Sequence, residues 1–520
     1  EKATLNVGLS DVVRTYGNTS FTEGTGYGIK DHDALVNGDE GTLSIKEGAI
    51  TDGGLVDNNS KTNNKGDYKW NVGENGIIAE NVANFAKNYD IKVTAGNSKV
   101  NAKKIYLNNI NASTTYGSKD GLQVDGNVSL QDNSIVYGDK VSLKDGASVS
   151  YKADGEYATN KGGRDTADAG EYKKNVVVTG AELVGNELGN YELVNNATGS
   201  ITVKQAEMQV KLNGVERTYG NTALINGTAY GVNGLTGNVN GDNYGVGNVN
   251  MGAVTGDGAV DGVSGIKVTN DAGDTYKWNA NVVAANDKLK QNYKLVVDGA
   301  ASVVKQATLQ VSLNDVVRTY GNAAITSGGY SASNITGLVN GDSYDASAIT
   351  VNKTSDGAID GVSGSKVTND AGNYEWTGSA STTNAGLDKN YNFVVTANGK
   401  STVEKATLNV GLNDVVRTYG NATITSGGYS ASNITGLVNG DSYNAGDVKV
   451  TVTGDGALTG KTEGKVTNNA GDYTWSGTAT TDNAGLGKNY NLVVTANGKS
   501  KVEKATLNVG LSDVVRTYGN

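Results

Sequence analysis

The chain has 520 residues and a net charge of −10 from 44 basic and 54 acidic side chains, with 73 glycines, three Phe and neither Cys nor Pro. These counts exclude a disulfide framework and thiolate metal sites. There is no basic stripe for phosphates, which argues against nucleic acid, and no eighteen-residue apolar run for a transmembrane segment. Abundant Gly, Asn, Asp, Ser and Thr with few strong helix formers indicate many short strands joined by turns, an all-β fold.

The segment Glu1–Asn18, EKATLNVGLSDVVRTYGN, returns unchanged as Glu503–Asn520. Degraded copies place Tyr16, Tyr116, Tyr219, Tyr320, Tyr419 and Tyr518 at spacings of 100, 103, 101, 99 and 99. A fixed period of that size marks a tandem array of folded units. The expected units are 1–102, 103–204, 205–305, 306–404 and 405–503, with 504–520 opening a sixth. The second is the most divergent, with Thr114 in the motif's arginine position and Lys174 in place of a tryptophan. Each unit matches the common size of an independent domain and is expected to close as a β-sandwich or β-grasp-like bead, the array forming a rod. A continuous β-solenoid is the alternative. No initiator Met or signal peptide is seen, and with the same motif at both ends the chain reads as a window of a longer protein.

The fourth unit shows the elements most clearly. Ala307, Leu309, Val311 and Leu313 alternate with polar residues, the period of a half-buried strand. Asn314-Asp315 turns the chain, Val316–Tyr320 forms a second strand, and Gly321-Asn322 stops it. Asn340-Gly341 predicts a tight turn with positive φ. Gly372–Trp376 puts Tyr374 and Trp376 on one face of a strand. The unit is then expected to close with a hairpin, Tyr391–Thr396 and Lys400–Val403 about Asn398-Gly399, an antiparallel signal that counts against the solenoid. The fifth unit repeats it from Tyr490 to Val502, and the third offers Tyr293–Val297 before Asp298-Gly299. Across Glu404-Lys405 the apolar parity changes from odd to even, so this charged pair marks where one core hands over to the next. Lys204-Gln205, Lys305-Gln306 and Glu503-Lys504 are equivalent. Joints of two residues leave little freedom between units.

Five of the six arginines sit in the motif: Arg14, Arg217, Arg318, Arg417 and Arg516. A guanidinium there suits a clamp to a carboxylate, with Asp39, Asp242, Asp342 or Asp441 of the Asn-Gly-Asp turn as expected partners. A row of arginines facing an anionic glycan is the weaker reading. Tyr16, Tyr219, Tyr320 and Tyr419 are expected to be buried, their hydroxyls bonded to backbone. Trp70, Trp278, Trp376 and Trp475, one per unit in four units, are expected core anchors. His32 is the only histidine, so histidine-based catalytic arrangements cannot recur, and no enzyme is expected. No cofactor is expected. Calcium stays open because Asp and Asn cluster at Thr255–Asp261, Thr453–Asp455 and Asn369–Gly372, but no EF-hand pattern is present and ordinary Asx turns account for them.

Four features carry a resemblance. They are KATL-x-V…RTYGN at Lys405–Asn421, GLVNGD at Gly436–Asp441, GDYxW at Gly471–Trp475 and NYxLVV…V-x-KA at Asn489–Ala505. Together these resemble the MBG-type repeats of large bacterial surface and secreted adhesins, including haemagglutinin-like exoproteins and autotransporter adhesins. The resemblance implies an extracellular or bacterial cell-surface location and a stalk or filament-forming role, and carries over no catalytic residue. Expected partners are neighbouring repeats or copies of the chain in a fibre, and host or bacterial surface glycans or proteins. A lectin-like array that binds glycan through exposed aromatics is the rival.

Overall fold

The computed structural model describes residues 1–22, 25–57, 59–73, 75–444, 446–516 and 518. The regular secondary structure of the described residues is nearly all strand, with a few short helices. It falls into two compact units, one of Glu1–Leu212, Gly231–Thr255 and Asn279–Gly299, the other of Asn213–Tyr230, Gly256–Trp278 and Ala300–Asn520. The third repeat contributes to both.

The fourth repeat, within the second unit, shows the plan. Its strands are β1 (Ala307–Leu313), β2 (Val316–Thr319), β3 (Ser327–Gly328), β4 (Ala332–Thr336), β5 (Ile349–Asp356) and β6 (Gly372–Thr382). Then come helix α1 (Ala385–Asn390), β7 (Tyr391–Ala397) and β8 (Gly399–Glu404). One sheet has the order β4-β1-β7, the other β3-β2-β8-β6-β5. The alternation in β1 is realised: Ala307, Leu309, Val311 and Leu313 are buried and the residues between them are not. Val311, Leu313, Val316 and Trp376 form a core between the two sheets. The fifth repeat repeats this plan. The first has three- and five-stranded sheets, with a core built from Leu5, Val7, Leu9, Val12 and Trp70. These closed sheet pairs are tandem β-sandwich domains rather than the rungs of a solenoid.

The expected closing hairpin does not form. β7 pairs in parallel with β1, and β8 pairs in parallel with β2 and antiparallel with β6. Asn398-Gly399 is where the chain leaves one sheet for the other, and neither residue takes a positive φ. β8 lies between two strands, while β7 is the edge of its sheet with β1 beside it, so neither uses the other as a hairpin partner. The glycine serves close approach instead, since a Cβ on Gly399 would lie 1.9 Å from Trp376 Nε1. The fit is not absolute, because the third repeat carries Ala300 opposite Trp278. The Tyr490–Ala496 and Gly498–Glu503 strands likewise pair elsewhere, as do Tyr293–Asp298 and Ala300–Lys305.

The parity change at Glu404-Lys405 is present. Gly399, Ser401 and Val403 are buried before it, and Ala406, Leu408 and Val410 after it. The boundary is not a gap between separate cores, however. Val403, Ala406 and Leu408 join Tyr320, Ala358, Leu486 and Tyr490 in an apolar cluster of their own. The joint is therefore itself a core, and the beads are not self-contained.

The last motif copy also departs from expectation. Lys504–Arg516 forms no strand and is exposed, although its sequence equals Lys2–Arg14, where Ala3–Leu9 and Val12–Thr15 are strands. Those strands exist because Tyr89–Thr94 and Gly96–Asn101 pair with them. The local sequence supplies the pattern, and the partner strand supplies the structure. Thr517, Gly519 and Asn520 lie outside the described residues.

Candidate functional site

The motif brings two constellations into being, one inside each repeat and one between repeats. The internal one is a clamp. Arg318 lies on β2 with its guanidinium buried; Nη1 donates to Asp356 Oδ2 at 3.0 Å and to Ser401 Oγ at 2.7 Å, and Nη2 to the Tyr330 hydroxyl at 3.0 Å. The Tyr330 hydroxyl closes the ring by donating to Asp356 Oδ2 at 2.6 Å. Arg14 meets Asp52, Ser98 and Tyr27 in the same way. Arg217 meets Asp257, Ser302 and Tyr230. Arg417 meets Asp455, Ser500 and Tyr429.

The expected arginine–carboxylate clamp is present, but its acid is not the one of the Asn-Gly-Asp turn. Asp39, Asp242, Asp342 and Asp441 do not touch the arginines. Two of the partners, Asp257 and Asp455, come from segments considered for calcium, and Asp356 is their counterpart in the fourth repeat; all three are engaged by the guanidinium, a tyrosine, a serine and a backbone amide. Burial pushes the Asp356 carboxyl up, but hydrogen bonds from Tyr330, the Ala358 amide and Ser401, with the charge of Arg318, outweigh it and hold the group below its usual value. Buried guanidinium and carboxylate face no solvent, so a glycan has no access to these arginines. Arg516 lies in the exposed final segment. In the second repeat Thr114 is buried at the motif's arginine position. Arg164 pairs there with Asp168 instead, at 3.1 Å.

Trp70, Trp278, Trp376 and Trp475 are at most 1% exposed. Each indole donates to the backbone carbonyl of the residue just after the repeat's first strand: Ser10, Asn213, Asn314 and Asn413, at 2.7–2.8 Å. They are core anchors, and no aromatic platform is left for a sugar at these positions.

The second constellation is the joint. Tyr320 follows β2, and its hydroxyl donates to Asp441 Oδ2 of the next repeat at 2.9 Å. Tyr490 of that repeat donates to the same oxygen at 2.9 Å, and the two rings meet edge to face at 5.5 Å. Gly321, at φ +75°, receives Val438; a Cβ there would lie 2.3 Å from Val438 Cγ2. Asn439 and Gly440 have φ of 62° and 75°, the expected positive-φ turn. That turn points Asn439 at Thr368, whose amide it accepts at 3.2 Å and whose carbonyl it donates to at 2.8 Å. Finally Asn489, closing the Ala484–Asn489 helix, accepts the Ala371 amide at 2.8 Å. Lys488 pairs with Asp370 at the rim, at 3.0 Å.

The same joint recurs. Tyr16 donates to Asp139, Tyr116 to Asp242 and Tyr219 to Asp342, at 2.8–3.0 Å. Val136, Val239 and Val339 sit over Gly17, Gly117 and Gly220. The expected backbone partner for these hydroxyls is thus replaced by a carboxylate from the following repeat. Sequence reasoning noted both halves of this interlock, the Tyr-Gly and the Val-Asn-Gly-Asp, but read them as parts of one domain. A pairing across 123 residues leaves no local signal. Burial pushes the Tyr320 hydroxyl up to about 12; the hydrogen bond from Asn439 opposes this and the Asp441 carboxylate adds to it. Tyr419 departs from the others, being 40% exposed rather than buried.

No family model matches the chain, and no curated protein matches it. Among solved structures it is similar to Drosophila N-cadherin EC1-4, at 10% identity and TM-score 0.18, covering 76% of this chain and 99% of that one. It is also similar to the N-terminal four Ig domains of Dscam1 isoform 4.44, at 11% identity and TM-score 0.13, covering 76% and 98%. Such weak superposition leaves function to the geometry. Among the described residues no helix is long and apolar enough to cross a membrane.

Proposed function

We propose that this chain is a structural repeat region of an extracellular bacterial adhesin or surface fibre, acting as a stalk or filament-forming module. The observation that carries the reading is the joint. A linker between independent binding domains would be exposed and polar, yet here each joint buries a tyrosine and an asparagine around a half-buried valine, and three of the four bury a second asparagine where the first joint carries Tyr137; hydrogen bonds in both directions fix them. Chemistry repeated at every joint is a device for holding successive domains at set angles, as projection of a distal region requires. The resemblance to MBG-type repeats points the same way. The buried tryptophans and arginines give the lectin-like reading no support.

Antibodies against this chain, applied to intact unpermeabilised cells and viewed by electron microscopy, test the proposal. Labelled projections at the cell surface are expected. Label confined to the cell interior, or lying flat on the envelope, would reject it.

A further inference from the structure

The strands that open a repeat pair in parallel with the strands that close it. In the fourth repeat Ala307 of β1 stands beside Tyr391 of β7, and Thr319 of β2 beside Glu404 of β8. The chain enters at Gln306, next to the start of β7, and leaves at Glu404, next to the end of β2. Entry and exit therefore lie at opposite ends of one paired track, six residues of β1 followed by four of β2. A buried side chain ties the track, since Arg318 of β2 donates to Ser401 Oγ of β8 at 2.7 Å. The first, third and fifth repeats have the same six and four pairs. They have the same tie, from Arg14 to Ser98, Arg217 to Ser302 and Arg417 to Ser500. The second repeat differs. Lys103–Tyr106 pairs with Tyr191–Val194 over four residues only, and Ala112–Thr115 with Ile201–Lys204 over four. Thr114 replaces the arginine and Ile201 the serine, so this tie cannot form.

We propose that each repeat bears tension along the chain as a shear-loaded track, and that the second repeat yields first. The proposal rests on the stalk reading, in which the chain lies under load. Pulling Gln306 and Glu404 apart slides β1 and β2 past β7 and β8. Every ladder bond of the track then carries a share of the force, and the bonds must fail together. Peeling the same strands apart from one end would load the bonds one after another, at much lower force. The arginine adds a charge-assisted bond that sliding must also break, in a site closed to water. Forced unfolding is governed by the height of that barrier rather than by equilibrium stability. A shorter track without the tie has the lower barrier. An overloaded stalk therefore lengthens first at its second repeat while the other four stay folded.

The test is optical-trap pulling of the full chain through handles on engineered cysteines, since the chain has none of its own. Gln306→Cys with Glu404→Cys pulls the fourth repeat along its track; Asn322→Cys with Glu404→Cys peels the same strands from one end, and all three positions are exposed. The first pair should need several times the force of the second. Equal forces would overturn the shear claim. Lys2→Cys with Lys504→Cys loads all five repeats, and about 20 glycine and serine residues inserted after the exposed Gly126 lengthen the second repeat's unfolding step by roughly 70 Å. The lengthened step should come first, at the lowest force. The same insertion after the exposed Gly460, in the fifth repeat, should lengthen a later step. A Gly126 step that comes late, or in random order, would overturn the assignment of the second repeat. Either failure would leave the joints, and the stalk reading, standing.

Discussion

Gly321 and Gly420 occupy the same place in consecutive motif copies and have nearly the same backbone, φ +75° and +83°. They differ in one respect. A Cβ on Gly321 would lie 2.3 and 2.4 Å from two atoms of Val438, while one on Gly420 would meet nothing. Alanine at Gly420 therefore carries only the left-handed backbone cost, roughly 1–2 kcal/mol. Alanine at Gly321 carries that cost and must also displace Val438 from a packed joint, a further ~1–3 kcal/mol. The difference isolates joint packing from backbone strain. Native-state amide exchange reads it locally, since the Thr368 and Ala371 amides are bonded to Asn439 and Asn489 across the joint. In Gly321→Ala those amides should exchange faster, by on the order of ten- to a hundredfold. In Gly420→Ala they should not change. Equal effects of the two variants at Thr368 and Ala371 would refute the claim that the joint is a packed core.

Replacing Asp356 by Asn should destabilise its repeat by about 3–5 kcal/mol, because Arg318 would be left as an uncompensated buried charge; denaturant unfolding followed by near-ultraviolet circular dichroism measures it. The clamp carboxylates Asp52, Asp257, Asp356 and Asp455 all have lowered folded pKa values. Their contribution is present above the ordinary value of 3.8 and is lost as pH falls through the depressed ones, so an acid titration should show tertiary signal persisting to about pH 4 and failing below it. At the alkaline end Tyr116, Tyr219 and Tyr320 are pushed up to about 12. Their neutral form supports the fold fully below pH 10, and that support declines as pH rises toward 12, so phenolate absorbance should show a late class of tyrosines that ionise as the fold is lost. Iodide should leave tryptophan fluorescence nearly unquenched, and strong quenching would contradict the burial of Trp70, Trp278, Trp376 and Trp475.

What the sequence disclosed was whatever repeats or alternates. The period, the strand alternation in Ala307–Leu313, the Asn340-Gly341 turn and the tryptophan anchors could all be read locally. What it concealed was pairing at a distance. Asn398-Gly399 carries the strongest short hairpin signal, yet β7 and β8 each find a partner strand some 80 residues earlier, as in the pairing of Tyr391 with Ala307. The arginine clamp was legible as a type of interaction but not as a pair, because Asp342 and Asp356 are equally plausible until the sheets are placed. The short helix Ala385–Asn390 was missed, although Asn384 caps it by accepting the Gly386 and Leu387 amides, and an Asn three residues before a buried Leu is the signal that could have found it. The identical terminal segments make the same point. One is strand and the other is not, so for this motif tertiary pairing outweighs propensity.

The account rests on joints that hold consecutive repeats at one angle. Because the chain has no cysteine, Lys400→Cys with Lys499→Cys places two spin labels at equivalent exposed positions of the fourth and fifth repeats. Pulsed electron–electron resonance should then give a single narrow distance distribution, no broader than that of two labels within one repeat. A broad distribution, of the kind a flexible linker produces, would contradict the account.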